Sequence, residues 1–564
     1  MGKIYNGMVK GFLRADGRRI VNEENETVIL RGWGAGNWMN PEGFMIGGTR
    51  PWSGEYSQPK KLDRARSMNQ VIRELCGTEY AKSFWPRWYR RYLGEKDIQA
   101  MSELGYNSVR LVLDSAAFLD EEPGIHWNED TFSMLDDVLN WCEKYRIYAI
   151  LDMHAAPGGQ SCGACDNGID NVPHLFIDEE SWERAILIWE EFAQRYKDRW
   201  IVGGYDLLNE PLNSASGAAL YTDRLKAFYD ETISRIRRID QKHLLTIEST
   251  IWSTQSDVFD HDYDPVYHNW CIHFHNYRYI PEMQELSTVM ERSLNLNVPV
   301  WMGEGGADQV SNAIFLQLLE EENIGYSLWC WKTSHKHSDD VMPEDTSPAE
   351  HGFPEDWEMV HDYADHGGPR PGYAKSQKIF DEYLDLLDYD KCTHPDLRHQ
   401  YNLRQPGITI PAVGYDHGEF GKAFSGKWNY GNAFQFRESD HMKMIVKPGG
   451  LRPGPKGLWP FTGYGLLNMP RAVDSLWLEL QEGEFVHYTV KDVRDGCRVV
   501  LRLRCDNPCC IQVSNAAETR DIPLDPSEEL IEKEVMTLSP GDEYRIRVEA
   551  LTGTIQLADV LFAV

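Results

Sequence analysis

Short apolar runs recur along the first two thirds of the chain. They are VILRG at 28–32, NSVRLVL at 107–113, RIYAILDMH at 146–154, IVGGYDLLNE at 201–210, HLLTIES at 243–249, WCIHFH at 270–275, VPVWMGE at 298–304 and GYSLWCW at 325–331. A run that stays apolar and then stops at a polar residue is the mark of a parallel strand covered on both faces and surfacing at its carboxyl end. Stretches with helical spacing, such as EKDIQAMSELG, FSMLDDVLNWCEKY, SWERAILIWEEFAQRYK and LYTDRLKAFYDETISRIRRI, precede most of them. Eight strands of this kind with room for helices between them predict an α/β protein built on a closed (β/α)8 barrel, sealed by AKSQKIFDEYLDLLD. Ahead of the first strand, alternating residues flank the turn ADGR, which predicts a small β cap. Two insertions, 38–95 and 333–372, fall where strands give way to loops, so they are expected to wall the mouth of a site.

From about residue 405 the helical spacing disappears. FVHYTVKDV, CRVVLRLRC, IQVSN, YRIRVEA and IQLADVLFAV are short alternating runs separated by turn residues, the pattern of a β-sandwich. The reading gives a barrel over 1–392 with its amino-terminal cap, a linker at 393–407 and a sandwich over 408–564.

Composition narrows the partners more than the fold. The formal charge of the 564 residues is −31, which argues against nucleic acid or an anionic membrane, since both call for basic surface. No run of 18 or more apolar residues suggests a membrane span. The start, MGKIYNGMVKGFL, lacks a signal-peptide core, so the expectation is a cytoplasmic chain with reduced thiols, or a secreted one if a leader has been removed. The 19 Trp and 27 Tyr are numerous enough to supply flat platforms for sugar rings as well as packing. Cys162 and Cys165 form a CxxC without a second pair at zinc-site spacing, so packed thiols are expected, with a disulfide or metal ligation as alternatives. No metal or cofactor is expected.

The chemistry sits where the strands stop. Two runs end on glutamate, Glu210 and Glu304, and two carboxylates delivered by separate strands suggest a pair built for acid/base work. Arg110, His154, Asn209, His275, Tyr277 and Trp329 stand at other strand ends. His273 competes with His275, and Trp331 with Trp329. A rim salt bridge is the lesser alternative for Arg110.

The stretches NSVRL, LDMHAAPGGQ, LLNEP, HFHNY, MGEGG and SLWCWK together resemble glycoside hydrolase family 5, a TIM-barrel family, over most of residues 10–390. GAGNWMNPEGF and DMHAAPGGQ are most similar to its exo-acting β-glucanase and β-glucosidase branch. The resemblance implies a retaining β-glycosidase acting on β-glucosides or short β-gluco-oligosaccharides. A β-mannosidase, an endo-β-glucanase and an inactive carbohydrate-binding protein stay open as alternatives. It implies Glu210 as acid/base and Glu304 as nucleophile, with Glu304 held ionised by Arg110 and Tyr277. Asn209 would bind the sugar 2-hydroxyl, His154 and His275 would fix hydroxyls or the acid/base, and Trp329 would form the stacking floor. AVGYDHGEFGKAF and NYGNAFQFRESD resemble family 6 carbohydrate-binding modules, which makes Trp459 and Tyr464 candidate stacking residues. A module that no longer binds sugar is the alternative.

Overall fold

The computed structural model describes residues 7–48, 61–277, 286–306, 309–334, 347–395, 404–430, 437–448 and 476–564. Eight parallel strands close into a barrel: β1 (Arg31–Gly34), β2 (Ser108–Asp114), β3 (Tyr148–Ala155), β4 (Val202–Asp206), β5 (Leu245–Glu248), β6 (Trp270–Asn276), β7 (Val300–Gly305) and β8 (Gly325–Leu328), with β8 returning to pair with β1. Every residue of these strands is buried, which is why they read as unbroken apolar runs. The Arg14–Asp16 and Arg19–Val21 strands form the amino-terminal hairpin.

Helix ends follow local chemistry. The Asn128 side chain accepts the Thr131 N–H at the start of Glu129–Tyr145, and Arg146 closes that helix in a left-handed conformation. Asp178 accepts the Glu180 and Ser181 N–H groups ahead of Glu179–Tyr196. The link from β5 to β6 holds only the short Thr250–Ser253 helix. The first insertion contains two helices, Ala65–Cys76 and Thr78–Tyr92, and Trp88 of the second is buried, donating to the Asn37 carbonyl at 3.0 Å. No helix among the described residues is long and apolar enough to cross a membrane.

Contacts divide the chain into two units, 1–276 with 288–305 and 323–395, and 277–287 with 306–322 and 396–564. In the second, two antiparallel sheets enclose one apolar core. One sheet runs Lys443–Val446, Leu476–Gln481, Thr554–Ala563, Cys497–Cys505 and Ser527–Leu538, with Thr409–Pro411 added against Thr554–Ala563. The other runs Phe424–Ser425, Phe485–Val493, Gly541–Thr552, Cys509–Ser514 and Thr519–Leu524. Leu501, Leu503, Val486, Tyr488, Ile546 and Val548 point into that core, as period-2 alternation requires. Trp459 and Tyr464 lie outside the described residues.

Candidate active site

The carboxyl end of the barrel holds an interlocked set of charged side chains. Alternation puts Asp152 with His154 on β3, Thr246 with Glu248 on β5, and His273 with His275 on β6 on one face of their strands. Arg110 on β2 reaches the middle of this set. Its Nε donates to Asp206 at 2.8 Å, Nη1 to Glu304 at 2.9 Å, and Nη2 to Asn209 Oδ1 at 2.8 Å and Glu248 at 3.0 Å. Asp152 lies 3.1 Å from the same Nη2. Burial opposes the charge on Arg110, but Asp152, Asp206, Glu248 and Glu304 outweigh it and raise its pKa. A rim salt bridge is therefore excluded: the guanidinium is fully buried and binds four strand ends at once.

Glu210 does not end its strand. β4 stops at Asp206, and the chain continues through Leu207 N–H to Thr246 O (3.1 Å) and Asn209 N–H to Met153 O (3.1 Å) before turning. Glu210 sits in that turn with φ +42°, and its N–H donates to Glu248 Oε2 at 2.7 Å. The sequence run to 210 looked continuous because Leu207 and Leu208 are as buried as strand residues. The His275 ring donates from Nδ1 to Glu210 Oε1 at 2.7 Å, and its Nε2 lies 3.8 Å from Glu304. Oxygens of Glu210 and Glu304 come within 4.8 Å of one another, with the His275 ring between them. That bound places the two carboxylates on the close side of the roughly 6.5–9.5 Å that leaves room for a water, as double displacement requires.

Burial raises the Glu210 pKa, the His275 bond lowers it, and the charges of Glu304 and Glu248 raise it again, for a net rise. The His275 pKa moves up too, because the nearby carboxylates overcome its burial. The tightly coupled Glu210–His275 pair thus holds a proton against rising pH. With Glu210 as the proton donor that the resemblance implies, kcat/KM is expected to fall as pH climbs through this raised pKa. Removing His275 removes a lowering influence, so His275→Ala should move the alkaline limb to higher pH. A limb that stays in place or moves toward acid in the pH profile of kcat/KM would refute this.

His154 Nδ1 donates to Asp152 at 2.8 Å, and Asn209 Nδ2 donates to His154 Nε2 at 3.3 Å. Asn209 is thus fixed at both ends of its amide, with its second N–H directed by those two contacts. The Trp329 ring lies parallel to His154, with 5.3 Å between centroids and 3° between planes. Gly34 and Gly36 make room for it, since a Cβ on either would stand 2.7–2.8 Å from the Trp329 ring or the adjoining Cys330 side chain. Trp331 instead is buried, and its indole donates to Asp97 at 2.9 Å. His273 bonds Asp206 at 2.9 Å and packs over Gly303, where a Cβ would come within 1.9 Å of the ring. His275, not His273, therefore touches Glu210. Tyr277 is half-buried just beyond β6 and belongs to the second of the two units.

Four participants escape a reading of strand ends. Asp152, Asp206 and Glu248 form the acidic shell of Arg110, and they carry a usable signal: each is a polar residue on a fully buried strand. Glu42 comes from the first insertion. It is buried, with Oε1 3.9 Å from His154 Nε2. Burial, moderated by His154 and reinforced by Glu304 and Glu210, pushes its pKa up to about 8, so it carries a proton at neutral pH. No local signal marks it. Two trios, Glu248–His273–His275 and Glu210–His275–Glu304, have ligand-type atoms within 4.8 Å of one another. Arg110 already places a fixed cation against Glu248 and Glu304, so this acidic cluster is balanced by a guanidinium. Cys162 and Cys165 are free thiols, and Cys165 accepts a 3.0 Å bond from Asn213 Nδ2.

Residues 67–335 match the family model described as Cellulase (glycosyl hydrolase family 5). Over that stretch the barrel is similar to glycosyl hydrolase family 5. The chain is 26% identical to a "Beta-xylosidase" of Phanerodontia chrysosporium over 356 residues, which are 57% of this chain and 71% of that one. It is 28% identical over 236 residues to a "Probable glucan 1,3-beta-glucosidase A" of Emericella nidulans, 40% of this chain and 52% of that one. Among solved structures, that of an endogalactoceramidase aligns over 97% of this chain and 99% of its own, at 14% identity and a TM-score of 0.44. The barrel is a glycoside hydrolase domain, and the six motif stretches noted in the sequence lie in or beside its strands.

Proposed function

We propose that this protein is a retaining, exo-acting β-glycosidase that removes a sugar from β-glucosides or short β-gluco-oligosaccharides. The observation that carries this reading is the Glu210–Glu304 pair, with oxygens within 4.8 Å, Glu304 bound by Arg110 and Glu210 by His275. Glu304 is bound by Arg110, which favours its ionised form and suits it to attack the anomeric carbon. Glu210 has its pKa raised, so it can donate a proton to the departing oxygen as the glycosyl–Glu304 ester forms. Glu210 then takes a proton from water, which attacks the same carbon and releases Glu304. Asn209 offers its amide to the 2-hydroxyl, and protonated Glu42 offers a donor to another hydroxyl. Trp329, backed by His154, supplies the stacking face.

Exo action draws support from the relatives whose names describe a xylosidase and a glucan glucosidase. The test is a panel of aryl β-glucoside, β-mannoside and β-xyloside, with product configuration followed by NMR. Highest kcat/KM on the glucoside, with the β-anomer released first, is the expected result. First release of the α-anomer, or no turnover of any member, would overturn the reading.

A further inference from the structure

We propose that Gln160 is a positioning residue for the acid/base, clamping the left-handed turn that aims Glu210. The proposal rests on Glu210 being the proton donor. Gln160 is fully buried in the loop after β3. Its Nε2 donates to the carbonyls of His154 and Asn209, each at 2.8 Å, and its Oε1 accepts the Ala156 N–H at 3.0 Å. Its own carbonyl accepts the Leu212 N–H at 2.9 Å. One residue therefore holds both ends of the segment Asn209–Glu210–Pro211–Leu212. The next residue extends the pairing, as Ser161 O accepts the Asn213 N–H at 2.7 Å.

The segment needs holding. Glu210 and Leu212 both have positive φ, +42° and +56°. Each is a strained backbone state that a side chain with a Cβ occupies only when its surroundings impose it. Glu248 fixes the turn from below through the Glu210 N–H. Gln160 supplies a further restraint and ties the turn to His154. Gln160 is in turn anchored by Asp166, whose Oδ2 accepts the Gln160 N–H at 2.9 Å and the Ser161 N–H and hydroxyl at 2.8 Å each. The CxxC loop thus serves as a frame behind the proton donor. With the clamp gone, the turn relaxes toward ordinary φ and the Glu210 carboxyl leaves the line to the departing oxygen. Glu304, on β7, stays where Arg110 holds it.

The consequence is specific to leaving groups that need a proton. Gln160→Met deletes the side-chain donors and acceptor, and Gln160→Asn keeps the amide one methylene short. With wild type as reference, kcat/KM for an alkyl β-glycoside is expected to fall about 100-fold in Gln160→Met, the scale of a general acid displaced by an ångström. For the 2,4-dinitrophenyl glycoside of the same sugar, whose phenolate departs unprotonated, kcat/KM should change little. The ratio of the two is internal to each preparation and independent of the folded fraction. Equal losses on both substrates, or no loss on either, in both variants would overturn the proposal. Glu210→Gln run beside them tests the premise separately. If it lacks the split, the assignment of Glu210 fails; if it shows the split and the Gln160 variants do not, the clamp fails.

Discussion

Glu304→Ala is expected to lower turnover of aryl β-glycosides by at least ~10⁴-fold, and added azide to restore part of it while yielding the α-glycosyl azide. The size follows from the loss of a covalent route that the remaining groups cannot replace. The stereochemistry follows from position. A carboxylate removed from the α face leaves a space that an azide ion can enter, and the azide forms its bond to the anomeric carbon as the aryl oxide leaves from the β face. Arg110 remains in place to attract the anion. The same experiment on Glu210→Ala should give the β-glycosyl azide, since the glycosyl–Glu304 ester forms first and azide takes the place of water. If the two variants exchange products, the assigned roles are reversed. Glu304→Ala with full activity would remove the mechanism altogether. Folding of the variant should be little disturbed, because Asp152, Asp206 and Glu248 still surround the guanidinium.

The second large effect is structural as well as catalytic. Arg110→Met is expected to abolish measurable activity and to destabilise the barrel by about 3–5 kcal/mol, the cost of leaving buried charges without their partner. Four carboxylates lean on this one cation, and Glu248 and Asp206 have their pKa values lowered, His273 and Arg110 countering the burial that would raise them. The pH dependence has a definite sign. Without Arg110 these carboxyls should titrate above their unfolded values, so the stability they provide is present at low pH and lost as pH rises through their new pKa. Urea unfolding should therefore show a larger deficit at pH 8 than at pH 5. A deficit that is constant with pH, or greater in acid, would mean that the arginine does not balance this shell.

The barrel was legible in the sequence because its signals are local. An apolar run is visible in five to ten residues, and a helix stop or cap in one or two. Placing Glu210 and Glu304 near the carboxyl ends of the fourth and seventh strands needed only counting, and the family motifs lie in the same short windows. The acidic shell was less legible. Asp152 sits two residues before His154, and Glu248 ends β5 much as Glu304 lies near the end of β7. Their place in apolar runs marks them as buried, yet nothing local says that Arg110 is the partner they bind.

What the sequence by itself determined is the eight-strand order and the place of the two glutamates near the carboxyl ends of the fourth and seventh strands. Tertiary structure decided the rest. It made Arg110 the hub of four strands, gave His275 rather than His273 to Glu210, set Trp329 against His154 while Trp331 went into the core, and brought Glu42 in from an insertion. It also showed that Glu210 is carried by a left-handed turn rather than by the strand. The physical reason is that each of these depends on partners tens to hundreds of residues away, as Arg110 and Glu304 are, and on burial created only when the barrel closes. Periodicity records which face a residue shares with its neighbours; it does not record what waits across the barrel.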